Sequence, residues 1–301
     1  MFNLRMANQH PFYIPTQKGI LKLGPKDKPI VMGILNITPD SFSDGGLYLK
    51  VPAALKRAEV MLHEGATLLD LGAASSRPKG QVYGDGASVL PVKTERARLI
   101  PVVEALVRHF PEAILSIDTF NSEVAKAALE AGADILNDIT ALRFDPNMAT
   151  VAAQHNAPLI LMHAVGLPGE MPHHLENVEI LATVCGALKT AIQKARFAGV
   201  KHLITDPGFG FGKSHTENLA LINGIPSLLE LGYPVLVGVS RKSTIGALLQ
   251  REGIPLPPEQ RLYGTLGVTA VALQRGTKII RTHDVRETKQ FLELFYLTEL
   301  A

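Results

Sequence analysis

The sequence has no tryptophan, a single cysteine and few aromatic residues. Aromatic side chains make up 6% of the 301 residues, and Cys185 is the only cysteine. A lone cysteine excludes a disulfide within the chain and argues against a metal site built from thiolates. Cys185 lies in an apolar stretch with Leu181, Val184 and Leu188. We therefore interpret it as a small core residue rather than a reactive thiol.

The sequence also lacks a strong net charge and any long apolar run. The formal net charge is +2 at pH 7, which gives no sign of a nucleic-acid surface but is compatible with a local site for an anionic ligand. No segment reaches the roughly 18 uninterrupted apolar residues of a membrane span, and the first residues contain no apolar signal-peptide core. We expect a cytoplasmic protein that binds neither nucleic acid nor membrane.

A short pattern recurs along the chain: a glycine that ends a helical stretch, then an apolar run, then polar residues. Four segments share it, at residues 64–72, 131–139, 198–208 and 275–284. Glycine commonly follows the last turn of a helix. Apolar runs without alternation are typical of parallel strands that are covered on both faces.

Further apolar runs end in polar residues in the same way, at residues 30–36, 114–118, 159–163 and 235–240. With the four above they make eight candidate strands, and helical periodicity fills most gaps. This pattern favours a single-domain α/β fold, the (β/α)8 TIM barrel, over an open sheet. We expect the barrel to span residues 30–301, and residues 1–29 to form an N-terminal arm or hairpin that closes its bottom.

Polar residues follow the candidate strands, at the end where a TIM barrel builds its active site. Buried Asp118, Asn137 and Asp206 predict a pocket floor rich in hydrogen-bond acceptors, suited to a flat heterocycle with N–H donors. Basic side chains predict a positively charged rim for a phosphate or another anionic leaving group: Arg77, Lys242, Arg281 and His283.

The segments at these strand ends resemble the signatures of the dihydropteroate synthases. GILNITPDSFSDGG at residues 33–46 and LGAASSRP at residues 71–78 resemble the first two signatures. SIDT, LNDI, LMH, DPGFGFGK, GVSRKS and IIRTHDV match the remaining strand ends in order. The resemblance implies a Mg²⁺-dependent transferase of folate biosynthesis. Such an enzyme joins 6-hydroxymethyl-7,8-dihydropterin pyrophosphate to p-aminobenzoate, releases pyrophosphate, and acts as a homodimer.

The resemblance also implies roles for the matched positions. The residues expected to bind the pterin are Asp118, Asn137, Met162, Asp206 and Lys242. Those expected to bind pyrophosphate are Asn36, Arg77, Arg281 and His283, and Asn36 is also the expected Mg²⁺ ligand, since Mg²⁺ keeps several waters and needs few protein oxygens. Those expected to bind p-aminobenzoate are Ser76, Pro78, Phe211, Lys242 and Ser243.

In this family the reaction is thought to pass through a pterin cation, with pyrophosphate lost before the amine attacks. Mg²⁺ and the basic rim would stabilise the charge that develops on pyrophosphate. The residues expected to act in catalysis are Asp118, Asp44, Lys242 and Arg281, with the two carboxylates favouring the cation. Loops at residues 38–46 and 75–93 would close to keep water from the cation.

The second signature departs from the usual Gly-Gly-Glu-Ser-Thr-Arg-Pro, because Ala74 replaces the glutamate and Ser76 the threonine. We interpret this as a change of loop packing in an active enzyme; an altered response to sulfonamide inhibitors and a loss of activity are the alternatives. Two rival functions stay open, a non-catalytic pterin-binding paralogue and a pterin-dependent methyltransferase. The methyltransferase would have no use for the pyrophosphate residues.

The last predicted helix, at residues 285–297, carries an apolar stripe formed by Phe291, Leu294, Phe295 and Leu297. This stripe predicts packing either on the barrel or in a dimer interface.

Overall fold

The computed structural model describes residues 11–37, 47–73, 90–166 and 179–300, without the side chains of residues 47–50 and 300. The strands are β1 (Tyr13–Thr16), β2 (Gly19–Lys22), β3 (Ile30–Asn36), β4 (Leu68–Gly72), β5 (Ile114–Asp118), β6 (Ile135–Asp138), β7 (Leu159–Met162), β8 (Leu203–Asp206), β9 (Leu236–Val237) and β10 (Ile279–Thr282). The helices are α1 (Leu47–His63), α2 (Val92–His109), α3 (Ser122–Glu130), α4 (Asn147–Gln154), α5 (Ile180–Phe197), α6 (His215–Asn223), α7 (Ile225–Leu229), α8 (Ser243–Leu248), α9 (Leu262–Gln274) and α10 (Val285–Leu300).

Strands β3 to β10 form one parallel sheet of eight strands within the described residues, in the order β8-β7-β6-β5-β4-β3-β10-β9. The ring closes between β8 and β9, where Thr205 and Val235 form a parallel bridge. The backbone N–H of Thr205 donates to the carbonyl of Pro234 over 2.9 Å. Helices separate successive strands. The predicted (β/α)8 barrel is confirmed.

The seventh barrel strand is shorter than its apolar run. The sequence predicts a strand at residues 235–240, whereas β9 covers only Leu236–Val237. Beyond it, Gly238 lies beside the side chain of Arg281, whose Cβ would be 3.6 Å from a Cβ at the glycine. The backbone N–H of Lys242 then donates to the carbonyl of Val239 over 3.2 Å. The chain therefore leaves the strand and enters a turn before the apolar run ends.

A hairpin covers the opposite end of the barrel. β1 and β2 pair antiparallel, and Ile14, Leu21 and Leu23 are buried in one apolar cluster with residues at or near the starts of the barrel strands. Between the two hairpin strands, Lys18 Nζ donates to Asp134 Oδ2 over 2.6 Å and to the carbonyl of Gly132 over 2.9 Å. Apolar burial and one buried ion pair thus close the amino-terminal end of the strands. The domain boundary at residues 29/30 stays a prediction.

The main core fills the layer between the strands and the surrounding helices. Leu115 and Ile117 of β5 and Val103 and Leu106 of α2 are fully buried there. Cys185 is half-buried and packs against this core. No helix in the described part of the chain combines the length and the hydropathy that a membrane crossing requires.

Helix α10 divides its apolar stripe between two environments. Phe291 and Phe295 pack against the main core, whereas Leu294 is 69% exposed and Leu297 60% exposed. Half of the predicted stripe thus packs on the barrel, and the other half lies on the surface.

Candidate functional site

Four residues that the sequence assigns to a pterin site lie on four consecutive strands. Asp118 ends β5 and is in register with Asn137 of β6. Met162 ends β7 and is in register with Asp206, which ends β8. Asn137, Met162 and Asp206 are 3%, 4% and 5% exposed. Because parallel strands end at the same edge of the barrel, these side chains form the floor of one mouth.

Asp70, which the strand-end reasoning missed, lies under this floor. It is in the middle of β4, is fully buried, and accepts three hydrogen bonds. The donors are Arg281 Nε at 2.6 Å and Asn137 Nδ2 at 3.2 Å, both to Oδ2, and Ser116 Oγ at 2.7 Å to Oδ1. The sequence signal was one charged residue inside an otherwise apolar strand, since a buried carboxylate requires partners.

Arg281 connects Asp118 of the floor with Asp70 beneath it. Its Nε donates to Asp70, and its Nη2 donates to Asp118 Oδ2 over 2.9 Å. The side chain is 16% exposed. The sequence predicted a basic residue on the rim, but here the guanidinium lies inside the pocket between two carboxylates. The two ion pairs offset much of the cost of burying these charges.

Burial raises the pKa of both strand-end aspartates. It raises the pKa of Asp118 to about 7, and neighbouring Asp70 and Glu95 add to the rise while Arg281 and Lys242 oppose it. Burial raises the pKa of Asp206 to about 6, although the backbone N–H of Gly208 donates to its Oδ1 over 2.7 Å. Both carboxyls thus gain or lose a proton close to neutral pH, and when ionised they accept from N–H donors of a bound heterocycle.

Lys242 extends over the floor from the turn that follows β9. Its Nζ is 3.9 Å from the centre of the Phe211 ring. Burial lowers the pKa of Lys242 to about 8, and Arg281 lowers it further, whereas Asp206 and Asp118 raise it. Lys242 also occupies the N-cap position of α8, and Ser243 is its first residue.

His283 differs from its predicted role as a positive charge on the rim. Burial lowers its pKa to about 3, and the nearby Arg281 and Arg241 contribute to this. Ser240 Oγ lies 3.1 Å from His283 Nδ1 and also accepts from the backbone N–H of His283 over 3.1 Å. Buried neighbouring cations thus disfavour the positive charge that the sequence predicts at His283. A neutral imidazole remains able to donate a hydrogen bond to an anion.

The glycine-rich segment after β8 forms a tight loop under Lys242. Gly208 has a φ of +68°, and a Cβ on it would lie 1.7 Å from the carbonyl oxygen of His163. Lys213 Nζ donates to the carbonyls of His163, Gly208 and Phe211 over 3.1, 2.8 and 3.2 Å. Burial lowers the pKa of this lysine to about 7. These three hydrogen bonds occupy the donors of Lys213 and connect the loop to the residue that follows β7.

An apolar slot lies beside the acidic floor. Sequence reasoning assigned Met162 and Phe211 to ligand binding, and these pack in one cluster with Phe120, Ile139 and Ala164. Phe144 packs on the same cluster and meets Phe120 edge-on, with ring centres 4.6 Å apart. Apolar residues in loops carry no sequence signal, so these additional residues were missed. The slot and the acceptor floor together suit a planar, N–H-rich ring.

Several predicted site residues lie outside the described residues: Asp44, Ser76, Arg77 and Pro78. Two further predicted positions lie at the ends of elements near the mouth: Asn36 ends β3 and Ser243 begins α8, and both are half-buried. Among the side chains that the structure describes, no group of three or more His, Cys, Asp or Glu residues is arranged to hold a metal ion.

Comparisons with known proteins match this architecture. The profile of the family described as "Pterin binding enzyme" matches residues 32–283. A Synechocystis protein named dihydropteroate synthase is 41% identical over 292 residues, 96% of each chain. The solved structure of Xanthomonas albilineans dihydropteroate synthase with 4-aminobenzoic acid is 43% identical, with a TM-score of 0.82 over 94% of this chain and 96% of that chain. Yersinia pestis dihydropteroate synthase, solved in complex with a sulfonamide drug, is 37% identical, with a TM-score of 0.84 over 96% of this chain and 100% of that chain.

Proposed function

Because the chain belongs to the dihydropteroate synthases, the pterin-binding transferases of folate biosynthesis, we propose that its barrel mouth joins a pterin pyrophosphate to p-aminobenzoate. One observation carries this proposal: Asp118, Asn137, Met162 and Asp206 lie at the carboxyl ends of four consecutive strands, around one acceptor-rich floor. The relatives support the synthase and give no support to the methyltransferase or the non-catalytic paralogue.

In the proposed reaction, the bond between the pterin methylene carbon and the pyrophosphate oxygen breaks. The amine nitrogen of p-aminobenzoate then forms a bond to that carbon and releases a proton. The floor binds the N–H edge of the pterin, and Met162 lines the slot that holds the flat pterin ring. Ionised Asp118 stabilises positive charge on the pterin, while Lys242 and Arg281 stabilise negative charge that builds on the leaving group.

The site is compatible with Mg²⁺ of the kind that is held mainly by water and phosphate. Asn36 offers one neutral side-chain oxygen at the carboxyl end of β3, beside β4 and β10. A single protein oxygen suits Mg²⁺, which dehydrates reluctantly and usually binds substrate phosphates in such sites. We propose Asn36 as the protein ligand; the bound ion would neutralise charge on pyrophosphate, and the protein residues hold and orient the two substrates.

Pyrophosphate release tests the function directly. Purified protein is mixed with the pterin pyrophosphate and p-aminobenzoate, with and without Mg²⁺, and both pyrophosphate and dihydropteroate are measured. We expect Mg²⁺-dependent turnover and its near-complete loss in Asp206→Ala. Calorimetry with the pterin pyrophosphate separates the alternatives, since binding without any turnover would support the paralogue and exclude the synthase.

We also propose that sulfonamides compete with p-aminobenzoate in this chain, as the complex of the Yersinia pestis relative suggests. Phe211, Lys242 and Ser243 are the described residues that support an aminobenzoate site there. The measurement is the dependence of sulfonamide inhibition on the concentration of p-aminobenzoate. Inhibition that does not weaken as p-aminobenzoate rises would contradict the proposal.

We propose that the protein forms a homodimer. We also propose that it is located in the cytoplasm. The exposed Leu294 and Leu297 of α10 and the exposed Tyr263 of α9 support the dimer, because apolar surface on neighbouring helices favours association. Sedimentation of the wild type and of Leu297→Glu tests this: we expect a dimer that the charge weakens. Fractionation of cells that express the chain tests the location.

A further inference from the structure

We propose that Asp70 is a positioning residue of the pterin site, which sets the orientation of the Asn137 amide and holds the Arg281 guanidinium in place. The proposal rests on the function proposed above and deepens it by adding a residue that touches no substrate. Asp70 lies one layer below the floor, in the middle of β4, and is fully buried.

Asp70 accepts hydrogen bonds from three other strands of the barrel, of which only β5 is adjacent to β4. Ser116 of β5, Asn137 of β6 and Arg281 of β10 donate to it over 2.7, 3.2 and 2.6 Å. Two of these donors, Asn137 and Arg281, are residues assigned to substrate binding, and the third, Ser116, is fully buried. A single carboxylate therefore joins binding residues from opposite sides of the floor.

The contact with Asn137 determines which end of its amide faces Asp70. In the observed orientation, Asn137 Nδ2 donates to Asp70 Oδ2 over 3.2 Å. Rotation of the amide by half a turn would bring its oxygen to that place and set two acceptors against each other, which is repulsive. Asp70 thus turns the Asn137 oxygen away from itself. The floor then presents acceptors, as the N–H donors of a pterin require.

The contact with Arg281 acts on the other side of the floor. Arg281 donates to Asp70 through Nε and to Asp118 through Nη2. Because a guanidinium is rigid and planar, fixing Nε also fixes where Nη2 meets Asp118. Without Asp70, the guanidinium would lose one of its two carboxylates, and its position over the floor would no longer be defined.

Asp70 also acts on Asp118 through its charge. The groups that face Asp118 are Arg281 from β10, Asp70 from β4, Glu95 from α2 and Lys242 from the turn after β9. Asp70 and Glu95 raise the pKa of Asp118, while Arg281 and Lys242 lower it. Removing the charge of Asp70 therefore lowers the pKa of Asp118, and this carboxyl stays ionised to a lower pH.

Two variants separate the geometry from the charge. In Asp70→Asn, the new carbonyl oxygen can accept from both Arg281 and Asn137, and the new amide can donate to Ser116 Oγ, so the hydrogen bonds are kept and the charge is lost. We expect near-normal pterin affinity, with the acid limb of pterin binding and of kcat/KM moved to lower pH. In Asp70→Ala the acceptor itself is lost, and we expect roughly 10- to 100-fold weaker pterin binding.

Asp134→Asn is the matched control. Asp134 is also buried and also forms an ion pair of 2.6 Å, with Lys18, but at the bottom of the barrel. It reports what the loss of a buried ion pair does to folding alone, which thermal unfolding of every variant measures. We expect Asp134→Asn to keep the pterin affinity and the acid limb of the wild type.

Two results would overturn the proposal. The first is that folded Asp70→Ala binds the pterin as tightly as Asp134→Asn does. The second is that the acid limb of pterin binding in Asp70→Asn lies at the same pH as in the wild type. This second result decides the question if Asp70→Ala does not fold. Calorimetric binding needs no turnover. A wild type that binds the pterin pyrophosphate but releases no pyrophosphate would therefore remove the proposed function and still leave the role of Asp70 measurable.

Discussion

The ammonium group of Lys242 lies 3.9 Å from the centre of the Phe211 ring. A cation over an aromatic face is attracted by the negative charge of the ring, and the attraction grows as water is removed. Phe211 comes from the glycine-rich loop after β8, and Lys242 from the turn after β9. The contact therefore joins two loops of the mouth and holds the positive charge above Asp118 and Asp206, which interact with it electrostatically.

The charge of Lys242 is expected to determine how kcat/KM changes with pH on the alkaline side. Burial lowers its pKa to about 8, so its positive charge is present below that pH and is lost above it. If this charge helps pyrophosphate to leave, kcat/KM of the wild type falls as the pH rises through about 8. In Lys242→Arg we expect lower activity without this fall, since arginine stays charged. Lys278→Arg, at the barrel bottom, is the control and should keep the fall. If kcat/KM of Lys242→Arg still fell near pH 8, the fall would belong to a titratable group other than Lys242.

The backbone at Gly208 leads us to expect that replacing glycine by alanine destabilises the protein far more at this position than at Gly186. A Cβ at this position would lie 1.7 Å from the His163 carbonyl oxygen, and the backbone has a φ of +68°. We expect Gly208→Ala to reduce the free energy of unfolding by about 3 kcal/mol or more. We also expect it to weaken pterin binding, because the backbone N–H of Gly208 donates to Asp206 of the floor. Gly186→Ala, within α5 and with open space around it, should be neutral or stabilising by up to about 1 kcal/mol. If the two variants unfolded at the same denaturant concentration, the predicted clash of the alanine Cβ with the His163 carbonyl would be contradicted.

His163 predicts a pH-dependent contribution to stability. Its Nδ1 is buried without a hydrogen-bond partner among the described residues. Burial, with Lys213 and Arg143 nearby, lowers its pKa from 6.5 to about 3. Below about pH 6.5 the unfolded chain therefore binds a proton that the folded chain does not. The stabilisation is complete above that pH and is lost as the pH falls towards 3.

The measurement is the unfolding free energy of wild type and His163→Asn at several pH values. From pH 7 to about pH 4.5, we expect the difference to change in favour of the variant by on the order of 2–3 kcal/mol. Comparing the two proteins cancels the opposite titrations of Asp118 and Asp206. His109→Asn, on the surface of α2, should show no comparable change. A difference that is constant with pH would mean that His163 titrates alike in both states.

Local sequence patterns were sufficient to predict the barrel and most of its floor. Apolar runs after helix-ending glycines placed strands such as β4, β6 and β8, because burial on both faces demands continuous apolar sequence. A polar residue directly after such a run, as at Asp118 or Asp206, lies at the carboxyl edge whatever the rest of the chain does. The resemblance of these segments to one family then added the roles that spacing alone leaves open.

The sequence by itself thus determined the order of the elements, the barrel and the set of residues at its mouth. The tertiary structure alone decided what those residues do to one another. Asp70 joins Ser116, Asn137 and Arg281, which are far apart in sequence. Burial and two arginines lower the pKa of His283. Periodicity records only which residues are buried, whereas hydrogen bonds and pKa values depend on distances between strands that meet only when the barrel closes.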